Sequence, residues 1–162
     1  MFGFGKKKTV ADDNKLYTPV TGEVIQLENV SDPVFAGKMM GDGFAVEPTD
    51  GTIVSPVAGK VTIQQEHAVG LERADGLEIL VHIGIDTVSL NGAPFTPNVK
   101  VGDVVDGGDT LATVDWQQVD NAKLPKTTMV LITNSAEKLD TLSVEVGNSS
   151  AGSQIGQAVA IG

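Results

Sequence analysis

The sequence contains no cysteine in 162 residues, and aromatic side chains make up only 4% of it. Without thiols the chain forms neither disulfides nor thiolate metal centres. With so few aromatic rings, its core has to be assembled from aliphatic residues. Positive charge is also scarce: 11 Lys and Arg stand against 21 Asp and Glu, a formal net charge of -10. No broad basic surface is available to neutralise phosphates, which excludes a general nucleic-acid binder and favours neutral or basic protein partners. No apolar run approaches the roughly 20 residues of a membrane helix, so no direct membrane span is expected. A GxxxxGK[ST] phosphate loop is missing as well, which argues against a nucleotide as direct phosphoryl donor. "MFGFGKKK" sets its lysines after two phenylalanines with no apolar stretch following. It is no secretory signal, and a cytoplasmic protein is the default expectation.

What is present fits one domain. Residues 1–15, glycine-punctuated and polar, are expected to form a flexible tail. Its Phe2, Phe4 and Lys6 to Lys8 offer an anionic membrane surface only weak attraction. Residues 16–162 form the domain. From Leu16 the chain turns to short segments rich in Val, Ile and Thr, separated by Pro, Gly and Asp. That pattern is all-β. "TPVTGEVIQL" (Thr18 to Leu27) and "SPVAGKVTIQ" (Ser55 to Gln64) repeat hydroxyl-Pro-Val-x-Gly-x-Val 37 residues apart. The repeat predicts two similar hairpin units facing one another, with Pro at strand entries and Gly at bends. "VKVGDVVDGGDTLATV" (Val99 to Val114) reads as a third, looser echo, and the Gly/Ser-rich C-terminal stretch as a loop before one short strand. One short helix is expected in "DWQQVDNAKLP", with Asp115 as N-cap and Pro125 as its stop.

The two histidines, His67 and His82, are the candidate chemistry. In "GLEILVHIGID" the alternation sends Leu77, Ile79, Val81, Ile83 and Ile85 to one face and Glu78, Leu80, His82, Gly84 and Asp86 to the other. His82 is therefore outside the core-facing set, beside a glycine expected to leave space next to the imidazole. A two-residue hairpin loop at Ala74-Asp75 would pair His67 with His82, and one at Asp75-Gly76 would place them diagonally. An odd-length loop is expected to separate them, since a one-residue slip inverts the faces. Three readings follow: two plain surface histidines; a metal pair completed by Glu66 or Asp86; or a nucleophilic imidazole with a hydrogen-bonding partner. A phosphoryl group from another protein suits the last, because imidazole is nucleophilic and titrates near neutral pH.

Several motifs in order resemble one family: "PVTGEVIQLENVSDPVFAGKMMGDGFAVEP", "SPVAGKV", "EHAVGLERADGLEILVHIGIDTVSLNG" and "VKVGDVVDGGDTL". From about Leu16 to Ile161 the chain resembles the glucose-type IIA component of the bacterial phosphoenolpyruvate-dependent sugar phosphotransferase system. The resemblance implies an antiparallel β-sandwich or barrel with a duplicated hairpin motif and at most one or two very short helices. It implies that His82 accepts the phosphoryl group, with His67 as its hydrogen-bond partner and Asp86 as an acidic neighbour. Val34, Phe35, Met39, Met40, Leu80 and Val88 match the family's docking surround. The implied partners are the histidine-containing phosphocarrier protein as donor and the IIB domain of a membrane sugar permease as acceptor, with regulated enzymes or transporters as further candidates. No cofactor is required; zinc is implied only at a partner interface, held by His67 and His82 with a partner carboxylate. One departure is Gln65, where the family usually carries threonine two residues before the first histidine. Another is "FGFGKKK", too glycine-rich for the anchoring helix of some relatives.

Two other classes share related β folds. A lysostaphin-type zinc endopeptidase needs more histidines than the two present. A biotinyl or lipoyl carrier needs a lysine at a hairpin tip, where "GKMMGDG" offers Lys38 followed by two methionines.

Overall fold

The branched aliphatic segments, each cut short by Gly, Pro or Asp, fold into strands of two to seven residues in a computed structural model that describes residues 9–162. Phe2, Phe4 and Lys6 to Lys8 lie outside the described residues. The strands are β1 (Lys15–Tyr17), β2 (Gly22–Gln26), β3 (Asp42–Pro48), β4 (Thr52–Val54), β5 (Gly59–Gln65), β6 (Ala68–Glu72) and β7 (Glu78–Ile83). They continue as β8 (Phe95–Pro97), β9 (Val104–Val105), β10 (Thr110–Val114), β11 (Thr128–Ile132), β12 (Leu139–Val144), β13 (Gly147–Ser149) and β14 (Gln154–Ala160). Strand β1 opens at Lys15, inside the stretch expected to be tail, and Asp13 ties it down by accepting from the Tyr17 hydroxyl at 2.6 Å.

Every pairing is antiparallel. An eight-stranded sheet runs β13-β2-β3-β11-β7-β6-β5-β9, and two three-stranded sheets, β1-β14-β12 and β4-β10-β8, complete the architecture. Among the described residues three short helices, α1 (Pro33–Ala36), α2 (Trp116–Asn121) and α3 (Ser135–Lys138), interrupt the strands. That is one more than expected. Helix α2 stands where the sequence places it, with the Asp115 side chain accepting from the Gln117 N–H at 3.1 Å. Two 3-10 turns, Leu27–Asn29 and Thr87–Leu90, lie beside the site described below.

The repeat is visible as reciprocal hydrogen bonds. Tyr17 N–H donates to the Pro56 carbonyl at 2.9 Å, and Val54 N–H, at the equivalent place in the second copy, donates to the Pro19 carbonyl at 2.7 Å. Neither proline has an N–H to give, so each copy receives through its Pro carbonyl what the other offers. Thr18 accepts from Gly152 N–H and donates to Ser153, while Ser55 accepts from Gly108 N–H and donates to Asp109, all at 2.7–2.9 Å. The Val99 to Val114 stretch is therefore the counterpart of the C-terminal stretch rather than a third copy of the first motif: β9 flanks β5 as β13 flanks β2. The C-terminal stretch holds β13 and the seven-residue β14, more order than its Gly/Ser content suggested.

Alternation in the eight-stranded sheet then divides its two faces. The inner face carries Val24, Phe44, Val46, Val61, Val69, Leu71, Ile79, Val81, Ile83, Val130 and Ile132, all buried against residues of the small sheets such as Leu16, Ile53, Leu111 and Ile155. The outer face has a smaller cluster, Ala45, Met129 and Leu131, covered by Leu27, Val30, Phe35 and Ile85. Ile85 belongs to this second cluster and not to the core-facing set of its neighbours. Strand β7 ends at Ile83, and Gly84, at φ +79°, turns the chain so that Ile85 crosses to the other side.

Candidate functional site

His82 lies on the outer face of β7, opposite Ala68 of β6 on one side and Met129 of β11 on the other. Both neighbours are buried. Its ring is half-buried, with the Phe35 ring tilted against it at 5.2 Å between centroids. Phe35 arrives on α1, whose start is fixed by Pro33 and by the Asp32 carboxylate accepting from Val34 N–H at 2.9 Å. The helix ends in a Schellman arrangement: Lys38 N–H donates to Phe35 and Met39 N–H to Val34, at 3.0 and 3.1 Å. Lys38 holds the left-handed position usually given to glycine, at φ 62°. Its ammonium lies 3.6 Å from both Glu28 and Asp42, which anchors the loop.

The His67–His82 register differs from either expected alignment. Ala68, not His67, faces His82, because β6 and β7 are joined through an odd number of residues, 73–77. The histidines still meet: their rings are in edge contact, 5.2 Å between centroids at 79°. His67 escapes the alternation rule because it lies in no strand. It occupies the two-residue turn Glu66-His67 that joins β5 to β6, while its carbonyl accepts from Ile83 N–H at 2.8 Å. A turn residue is not bound to either face of the sheet.

His82 Nδ1 lies 2.7 Å from the carbonyl oxygen of Gly84. A carbonyl can only accept, so Nδ1 carries the proton and Nε2 keeps its lone pair in the neutral ring. Gly84 leaves no empty space beside the imidazole. A Cβ there would stand 2.5 Å from Thr87 Cγ2 and 3.2 Å from the Pro125 carbonyl oxygen. What the position demands is a left-handed glycine that turns its carbonyl toward Nδ1. Thr87 secures the turn by donating its hydroxyl to the Ile83 carbonyl at 2.6 Å.

Burial in the apolar cluster pulls the His82 imidazole below its ordinary value of 6.5. The Gly84 carbonyl opposes this, proximity to His67 adds to it, and the charges of Asp86 and Asp32 oppose it again. His67 is also lowered by burial, against the pull of Glu66. Both rings are therefore neutral near pH 7. Asp86 is exposed at φ 62°, and Asp32, not singled out from the sequence, bears on His82 through its charge. Its signal was legible as the N-cap before Pro33. Gln65 pairs with Ala68 on the rung that leads to His82, but its side chain is exposed. Among the described residues nothing hydrogen-bonds the His67 ring.

Around the histidines, Val34, Met39, Met40 and Val88 are 42, 77, 40 and 60% exposed. Leu80 is half-buried, and Phe35 is buried, so it supports the imidazole more than it presents a surface. Ile63, which sequence reasoning did not mark, extends the apolar strip: it lies over Gly70, whose neighbour across β7 is Leu80, and is 44% exposed. A β-bulge between Val61 and Ile63 turns it to this face. Among the described residues no group of three or more His, Cys, Asp or Glu is arranged to hold a metal, and the two histidines supply half of a tetrahedral set.

Residues 14–138 match the family model described as phosphoenolpyruvate-dependent sugar phosphotransferase system, EIIA 1. The chain belongs to the glucose-type IIA family of that system. The glucose-specific EIIA component of Staphylococcus aureus (strain MSSA476) is 46% identical over 134 residues, 82% of this chain and 81% of that protein. Its counterpart in Staphylococcus epidermidis (strain RP62A) is 44% identical over 144 residues, 88% and 86% of the two chains. The solved glucose permease IIA from Mycoplasma capricolum superposes with a TM-score of 0.78 at 36% identity, covering 88% of this chain and 93% of that one. As a IIA component, this protein is a phosphocarrier that passes phosphoryl groups within the sugar phosphotransferase system. No helix among the described residues is long and apolar enough to cross a membrane.

Proposed function

We propose that residues 16–162 work as one cytoplasmic phosphocarrier domain in which His82 Nε2 takes the phosphoryl group from the histidine-containing phosphocarrier protein. It then passes the group to a cysteine on the IIB domain of a membrane sugar permease. The observation that carries this reading is the 2.7 Å contact between His82 Nδ1 and the Gly84 carbonyl, which leaves Nε2 as the one nucleophilic nitrogen. In loading, the Nε2–P bond forms as the donor's N–P bond breaks; in unloading, Nε2 is the leaving group for a thiolate. His67, in edge contact with the ring, donates its N–H to the phosphoryl oxygens as they move, and acts most strongly where charge develops in the transition state.

Val34, Met39, Met40, Leu80, Val88 and Ile63 form the docking face around the histidines, an exposed apolar patch of the kind that marks a partner surface. Asp32 and Asp86 favour partners whose apolar contact is rimmed by Lys or Arg, which speeds encounter more than it tightens binding. The same face serves regulated enzymes or transporters. No cofactor takes part. Zinc enters only as a bridge to a partner, with His67, His82 and a partner carboxylate as ligands.

The test is transfer of labelled phosphate from phosphoenolpyruvate through purified general phosphotransferase proteins, followed by addition of a glucose permease IIB domain. The wild-type label is expected to be acid-labile and alkali-stable, as a phosphoramidate is, and a folded His82→Ala variant takes none. Label on His82→Ala at the wild-type level would falsify the assignment.

A further inference from the structure

With no cysteine in the chain, its oxidisable sulfur is confined to four methionines. Three lie among the described residues, and the fold treats them very differently. Met129 on β11 is paired with His82 of β7 and is fully buried. Met40 is 40% exposed, and Met39, at 77%, is the most exposed large apolar side chain among the described residues. That exposure is built in. The loop is closed by main-chain bonds and by the Lys38 ion pairs, none of which uses a methionine side chain, so Met39 is held out on a fixed backbone. The thioether is soft, polarisable and apolar, suited to an adaptable contact surface, and it is also open to two-electron oxidants.

We propose that Met39, followed more slowly by Met40, is a site of reversible sulfoxidation by hydroperoxides, and that oxidation closes this face to protein partners while leaving His82 chemically intact. The functional half rests on the docking reading given above. In the reaction the Sδ lone pair attacks the distal peroxide oxygen; the S–O bond forms, the O–O bond breaks, and the proton of the transferred oxygen passes to the departing oxygen, which leaves as water or alcohol. Sulfur loses two electrons and the peroxide gains them. The product carries a strong hydrogen-bond acceptor in place of a thioether, and that acceptor has to be stripped of water before an apolar partner surface can cover it. Methionine sulfoxide reductases restore the thioether. Met129 is shielded, so the ground beneath His82 is unchanged.

The experiment treats the full chain with dilute hydrogen peroxide, removes the oxidant, and maps added oxygen by peptide fragmentation. Among the three methionines of the described residues, oxygen is expected on Met39 first, then Met40, and not on Met129 while the protein is folded. Oxidation of Met129 as fast as Met39 overturns the site assignment. In the same samples, loading from the histidine-containing phosphocarrier protein falls several-fold with an unchanged melting curve, and reductase treatment restores it. Equal loading by treated and untreated protein overturns the functional half. The Met39→Leu/Met40→Leu double variant, whatever rate it starts from, keeps that rate after peroxide; a loss as large as in the wild type places the damage elsewhere and also overturns it. If untreated protein takes no phosphate at all, the phosphocarrier reading is what fails, and the order of oxidation, read by mass alone, still decides the site.

Discussion

The two faces of the eight-stranded sheet are made from the same strands, yet they do opposite work. The inner face of β7 carries Ile79, Val81 and Ile83, each at most 2% exposed. The outer face carries Glu78, Leu80 and His82, exposed or half-buried. Inside, aliphatic side chains from three sheets meet, and the buried Thr128 among them donates its hydroxyl to the Lys126 carbonyl at 3.1 Å. Outside, the cover is partial: one 3-10 turn, one four-residue helix and the Ile85 crossing shield a small cluster and stop at the imidazole. The candidate site therefore lies where the apolar cover runs out, with the imidazole partly buried and partly open.

Outer-face residues are expected to govern the chemistry and inner-face residues the stability. The largest effect is expected at His67. His67→Gln still accepts phosphate at His82 but slows transfer to a IIB domain on the order of a hundredfold, the scale of losing one aimed donor in a transition state. Unchanged single-turnover transfer would remove His67 from the chemistry. On the inner face, Ile79→Ala is expected to cost about 2–5 kcal/mol by transfer loss and cavity formation. Denaturant unfolding measures that cost, and the loading rate per folded molecule stays at the wild-type value. A folded Ile79→Ala protein that loads slowly would mean that the two faces are coupled.

The pH dependence gives a smaller effect. His82 is lowered from 6.5, so loading declines as pH falls and Nε2 takes a proton, with the midpoint of the decline below pH 6.5. Stability follows the same sign. The unfolded chain binds the proton first, so the contribution of a neutral buried His82 is complete above its unfolded value and is lost as pH falls through the folded one. A titration midpoint for His82 at or above 6.5, read by NMR, would show that burial does not control this ring. The smallest effect belongs to Gln65→Thr. Since Gln65 is exposed and makes no bond to His67, a threonine hydroxyl that fixes the ring is expected to raise onward transfer by a few-fold at most. A slower variant would show that Gln65 has a positioning role of its own.

Much of the site was legible in the strand around His82. Period-two alternation follows from strand geometry alone, and it assigned His82 to the non-core face and Ile79, Val81 and Ile83 to the core. Asp115 marked the start of α2 because capping is a local matter, but the helix ends at Asn121, where Lys123 at φ 60° turns the chain before Pro125 is reached. The hairpin register was less accessible. Asp75-Gly76 pointed to a two-residue loop, but the connection spans residues 73–77, closed by Arg73 N–H to Leu77 and by the Arg73 guanidinium, which is paired with Asp75 and donates to the Ala158 carbonyl on β14. That last contact crosses between sheets, and no local rule contains it.

What the sequence by itself determined is therefore what depends on neighbours along the chain: the all-β class, the duplicated Pro-Val-x-Gly motif and the face of each residue within a strand. Only the tertiary structure decided that His67 reaches His82 from a turn instead of a strand. It also decided that Gly84 supplies a carbonyl instead of space, that Ile85 crosses to the outer cluster, and that Asp32 and Ile63 join the site. Each of these depends on contacts between segments far apart in sequence, whose register is fixed by how the sheets pack and not by the residues that carry the chemistry.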